Sequence, residues 1–169
     1  GVNFELVEGC PTGPGDLCES QFEPPFPTNN LSIRALASYG GKLYIGTFNG
    51  AGGQLWSYDD ATGMFSKVWQ PGPAIPLIGE LEPYNGKLYI GVGGELTTDS
   101  FPDNNYIYVC EECDGTDIEP VEDLPDIDSE TFWVIKLFAT QGRLFAGTVN
   151  FVNGFSMLSY DSTASVEPF

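Results

Sequence analysis

Apolar and polar positions along this chain fall into short runs with a two-residue period, separated by clusters of Gly, Asn and Asp. In "KLYIGT" (42–47), Leu43 and Ile45 alternate with Tyr44, the spacing of a strand with two distinct faces. No segment combines a helical period with capping residues, so the pattern predicts an all-β chain with helix content near nil. The same phrase then recurs as "KLYIGV" (87–92) and "RLFAGT" (143–148). Aligned on Gly41, Gly86 and Gly142, the copies are spaced 45 and 56 residues apart.

Each copy predicts the same order of elements. An apolar run comes first: "SIRALASY" (32–39), "LIGELEPY" (77–84) and "WVIKLFAT" (133–140). The pairs Gly40-Gly41, Asn85-Gly86 and Gln141-Gly142 follow it. Asn-Gly or Gly-Gly between apolar runs is a strong hairpin signal. The recurring phrase is then the second strand. A third is expected at 52–59, 104–110 and 154–161, with Tyr58, Tyr108 and Tyr160 in one register. A fourth is clear at "MFSKVW" (64–69), weaker around "TDIEPVE" (116–122), and ends at "ASVEPF" (164–169) in the last copy. The longer second period is absorbed by "GELTTDSFPD" (94–103) and the acidic "VEDLPDIDSE" (121–130), and loops are where repeats tolerate insertion.

Four short antiparallel strands in a repeat of this length are the pattern of a propeller blade. The motif "GKLYIGT…GGQLWSYD…TG.F..V" resembles the kelch-like and related β-propeller repeats of secreted bacterial proteins, over residues 31–169. It departs from kelch at the diglycine after the second strand, which only the second copy carries, as Gly93-Gly94. The resemblance implies an all-β architecture of three four-stranded antiparallel propeller-type blades. Residues 31–76, 77–130 and 131–169 form the blades, the second including the acidic linker. Residues 1–30 hold an extra N-terminal strand and a Pro/Gly-rich segment.

Closed propellers have roughly four to eight blades, so three leave apolar faces uncovered, with Trp56, Phe65, Trp69 and Trp133 among the residues needing cover. The N-terminal "VNFELV" alternates Val2, Phe4 and Leu6 with polar residues and reads as a lone strand. A spare strand beside a blade with a weak fourth strand predicts strand complementation, within the chain or between copies. Between copies the outcomes are a six-bladed ring of two chains or a filament. The alternatives are that these residues are a piece of a larger propeller, or a three-repeat sandwich that packs its ends by itself.

Charge narrows the partners. With 24 acidic residues, 6 basic ones and no histidine, the net charge is -18. Such a chain is repelled by nucleic acid and by anionic membranes. No apolar run approaches the ~20 residues of a membrane-spanning helix. The chain opens on Gly1 rather than Met, as a processed mature form would. Four cysteines without a metal or redox signature predict disulfides in an oxidising, extracellular setting, with Cys10–Cys18 and Cys110–Cys113 as the local pairing. All four on one metal is the alternative. The sequon Asn30-Leu31-Ser32 marks a glycosylation candidate.

The chemistry of the first strands is sparse. They carry Arg34, Glu80, Glu82 and Lys136, with Ala35, Glu80 and Lys136 at one aligned position and Ala37, Glu82 and Phe138 at another. Glu80 and Glu82 share one side of their strand, where a propeller would place them in its channel. Two carboxylates on one strand lack the opposed arrangement of a glycoside hydrolase, and pairing of Glu80 with Lys136 or Arg34 is the simpler expectation. "CDGTDIEP" and "DLPDIDSE" are dense in carboxylates but do not follow the spacing of a calcium loop, so calcium is a secondary expectation and no cofactor is called for. Without histidine, Ser-His-Asp and Cys-His catalysis are excluded. The aromatics Tyr39, Tyr44, Trp56, Tyr58, Tyr84, Tyr89, Tyr106 and Tyr108 are expected to pack between blades, with glycan stacking as the alternative.

These readings point to a non-enzymatic extracellular structural protein that associates with itself. The competing expectations are a glycan- or protein-binding module from a larger propeller, and a propeller glycoside hydrolase fragment using Glu80 and Glu82.

Overall fold

The computed structural model describes residues 30–94, 106–122, 124 and 131–161. Val2, Phe4 and Leu6, the Cys10–Cys18 pair and the last strand expected at 164–169 lie outside the described residues. Among the described residues every regular element is a strand and all pairings are antiparallel.

The first repeat comprises β1 (Asn30–Tyr39), β2 (Lys42–Asn49), β3 (Leu55–Asp59) and β4 (Met64–Trp69), each paired with the next. The second comprises β5 (Leu77–Tyr84), β6 (Lys87–Gly93), β7 (Ile107–Cys110) and the short β8 (Glu119–Pro120). The third comprises β9 (Thr131–Thr140), β10 (Arg143–Asn150) and β11 (Met157–Tyr160). Backbone pairing between repeats is minimal: Phe48 meets Leu77 and Gly93 meets Trp133. Among the described residues the sheet does not close on itself.

The hairpins form where the Gly pairs predict them. Gly40 and Gly41, Asn85 and Gly86, and Gln141 and Gly142 all have positive φ, between 49° and 77°. Two successive residues of that kind make the turn whose twist matches antiparallel strands. Third strands are shorter than the alternation suggests, beginning at Leu55, Ile107 and Met157. Their register also corrects an expectation. Tyr58 and Tyr160 face the aligned leucines Leu43 and Leu144, but Leu88 faces Cys110, and Tyr108 faces Ile90 two positions earlier. A cysteine occupies the tyrosine's place because the second repeat turns there through the Cys110–Cys113 disulfide.

One irregularity repeats in all three copies. The ladder slips between Ile33 and Ala35, between Ile78 and Glu80, and between Val134 and Lys136. The extra residues are Arg34, Gly79 and Ile135, aligned in the three copies. An inserted residue breaks the two-residue alternation, so positions three apart share a face. Ile33 and Leu36, Ile78 and Leu81, and Val134 and Leu137 are therefore same-face pairs.

The core lies between consecutive repeats. Tyr44, Leu55, Ile78, Leu88, Ile90, Val92, Val134 and Leu137 are all almost fully buried. Trp69 of the first repeat packs against Tyr108 of the second with ring centroids 4.9 Å apart, and Tyr89 of the second packs against Tyr160 of the third at 6.1 Å. Tyr108 and Tyr89 thus pack between repeats, whereas Tyr58 packs on Phe65 within the first repeat.

Candidate functional site

Glu80 and Glu82 come from β5, whose neighbour on the next repeat is β9. Glu80 Oε2 accepts from Lys136 Nζ at 3.0 Å, with the lysine side chain largely exposed. Glu82 Oε1 accepts from the backbone N–H of Ala139 at 2.8 Å. Both therefore tie the second repeat to the third, and each has a partner that neutralises or satisfies it. At the aligned place in the first interface, Ala37 offers no acceptor and Pro83 has no N–H to donate. Acceptor and donor are present together or absent together.

Tyrosines at the ends of the first strands form a second set of ties. Tyr39 Oη lies 2.6 Å from the carbonyls of both Gly86 and Glu111, on the second repeat. Tyr84 Oη donates to the carbonyl of Gly142, on the third. Burial raises the Tyr39 pKa, helped by the nearby charges of Glu111, Glu112 and Asp117. Burial and Tyr160 push Tyr89 up to about 12. The third tyrosine of this series is missing: Thr140 stands in its place. Alignment of Tyr39 with Tyr84 is the sequence signal for the ties.

The disulfide loop is organised by one carboxylate. Asp117 Oδ2 accepts from the backbone N–H groups of Glu111, Glu112 and Cys113, at 2.9, 2.7 and 3.1 Å. Cys110 and Cys113 are bonded, with Cα atoms 5.0 Å apart. Burial works to raise the Asp117 pKa, but the donated N–H groups outweigh it and the net shift is downward. Asp114 is also lowered, by the hydroxyl and N–H of Thr116. Among the described residues no group of three or more Cys, Asp or Glu side chains converges as metal ligands would. The density of acids here is plain in the sequence, whereas the service of Asp117 to the backbone is not.

Asn30 does not project freely into solvent. Its amide donates to Gln54 Oε1 at 2.7 Å and accepts from Thr47 and Asn49 at 3.0 and 2.9 Å. Trp56 joins the same cluster by donating to Gln54 Oε1. The sequon asparagine is thus a strand residue whose side-chain nitrogen already holds the β2–β3 connection.

The most distinctive surfaces are the two end faces. Ile78 and Leu81 are 0% and 4% exposed, and Val134 and Leu137 are both 0% exposed; Ile78 and Val134 pack on glycines of the preceding repeat. Ile33 and Leu36 occupy the same positions in the first repeat and are 62% and 58% exposed. What receives the knobs is glycine. A Cβ on Gly46 would lie 2.7 Å from both Ile78 Cγ2 and the Ile78 carbonyl oxygen. On Gly91 it would lie 2.8 Å from Val134 Cγ1. Among the described residues, the aligned Gly147 meets only Lys136 Cβ, at 3.7 Å. Beside it Phe138 is exposed. Among the described residues, the first repeat therefore presents knobs without a socket, and the third a socket without knobs.

No known protein family and no curated protein matches this chain. Among the described residues no helix is long and apolar enough to cross a membrane.

Proposed function

We propose that the protein is a non-enzymatic, extracellular structural protein whose three repeats are propeller-type blades and whose end faces mediate self-association. The observation that carries this reading is the exposure of Ile33 and Leu36 at positions buried in both internal interfaces. Large exposed apolar patches mark interaction surfaces, and repeat units need neighbours to cover their faces. The Cys110–Cys113 disulfide supports an oxidising compartment. The engagement of Glu80 and Glu82 in ties between repeats favours a structural role for them over a catalytic one. In this reading Val2, Phe4 and Leu6 belong to a strand donated to the third blade, whose fourth strand is the weakest in the sequence.

Sedimentation velocity between micromolar and millimolar protein tests the reading. Concentration-dependent growth beyond the monomer is expected, and it should strengthen with salt as repulsion between copies of charge -18 is screened. A monomer at every concentration and ionic strength overturns it. Removal of residues 1–7 is expected to weaken growth; undiminished growth would remove the donated strand from the account.

A further inference from the structure

We infer that association is head-to-tail, the first repeat of one copy docking on the third repeat of the next. The seam repeats the geometry of the internal interfaces without their side-chain ties. This rests on the self-association proposed above and specifies its surfaces and polarity. The occupant of each end face is a second copy because the chain already contains two instances of the required interface. In both, an Ile or Val knob seats on a glycine of the preceding repeat, at Ile78 on Gly46 and at Val134 on Gly91. Ile33 is the third knob and Gly147 the third socket, and they sit at opposite ends of one chain. A contact between unlike surfaces is heterologous, so it generates a ring or a filament rather than a two-fold dimer closed on one patch.

The polar ties at the seam are unequal. The incoming face keeps its share: Gly41 supplies the carbonyl that aligns with those of Gly86 and Gly142, and Ser38 retains an N–H where Pro83 has none. The outgoing face has lost its share: Thr140 replaces the tyrosine of Tyr39 and Tyr84, and Phe138 replaces the carboxylate of Glu82. Internal interfaces are thus apolar contacts reinforced by side-chain hydrogen bonds, whereas the two end faces meet without the ties of Tyr39, Tyr84 and Glu82. Contact between copies is therefore the separable one, released before the repeats part from each other.

Complementary variants test this. Leu36→Asp disables the incoming face and Gly147→Val the outgoing one; both positions are open in the monomer, so native circular dichroism is expected for each. Each variant alone should be monomeric, and an equimolar mixture should form a dimer and nothing larger, because one intact head meets one intact tail. Thr140→Tyr in the otherwise native chain should restore the missing tie and lower the Kd for association about fivefold. If the native chain associates but Leu36→Asp and Gly147→Val associate equally well, the head-to-tail surface is wrong while self-association stands. A mixture that stays monomeric overturns the polarity, and an unchanged Kd in Thr140→Tyr overturns the account of the seam. A native chain that never associates overturns the underlying reading instead.

Discussion

Glu82 holds the backbone N–H of Ala139 at 2.8 Å, a side chain of one repeat satisfying the main chain of the next. The aligned pair in the preceding interface is Ala37 and Pro83, where neither acceptor nor donor exists. Glu82→Ala would leave the Ala139 N–H without this partner, at a cost of about 1 to 2 kcal/mol, since a hydrogen bond to a charged group is lost at a half-buried site. Urea unfolding of Glu82→Ala should show a lower midpoint. The double variant with Ala139→Pro, which removes the donor as Pro83 does, should cost less than the sum of the two single changes.

Gly46 admits no side chain. A Cβ there would approach the Ile78 carbonyl as closely as its side chain, so no rotamer change relieves the contact. Gly46→Ala is expected to destabilise by about 1 to 3 kcal/mol, the usual range for overpacking a close contact. Gly147→Ala, with space around it, should leave the monomer's thermal midpoint unchanged. Equal effects at the two glycines would remove the knob-and-socket account of the interfaces.

Gln141 has φ 50° in a turn where the other copies use Gly40 and Asn85. Left-handed backbone costs a residue with a long side chain about 1 kcal/mol, and Asn tolerates it better. Gln141→Asn should therefore raise stability by about 0.5 to 1 kcal/mol, read as an increase in thermal midpoint. No change, or a decrease, would indicate that the glutamine side chain contributes to the turn.

Asp117 makes the disulfide loop sensitive to acid. Its folded pKa lies below the ordinary carboxylate value, so its contribution is present above the unfolded value of about 4 and is lost as pH falls through the lower folded value. Asp117→Asn should destabilise the protein near neutrality by about 1 to 2 kcal/mol, through loss of charge-assisted bonds to three N–H groups. The gap between the two proteins should begin to close as pH drops below about 4 and vanish below the lower folded value, where the native carboxyl is itself protonated. A gap that persists unchanged at low pH would mean that the loop does not depend on the charge.

Part of the candidate site is legible in the sequence. The alignment of Ala35, Glu80 and Lys136 anticipates the Glu80–Lys136 pair because residues at one position on adjacent first strands become neighbours. Asp117 is legible only as one acid among many. Its role depends on three N–H groups converging after the chain turns at Cys113, and no spacing rule encodes that convergence. Tyr108 departs from the register of Tyr58 and Tyr160 because a disulfide loop shifts the strand end, so similar residues no longer hold similar positions.

The sequence by itself determined the elements and their repetition. Two-residue alternation defines strands, and glycine pairs at positive φ define the hairpins between them, because both are local constraints on a few neighbouring residues. Which residues form the faces was decided only in three dimensions. The extra residue at Arg34, Gly79 and Ile135 reverses the alternation in mid-strand, placing Ile33 beside Leu36 on one face. A bulge is specified by the mismatch between two paired strands, not by either strand alone. The same holds for Gly46, Gly91 and Gly147: alike in sequence, two are filled by a neighbouring repeat and the third is open among the described residues.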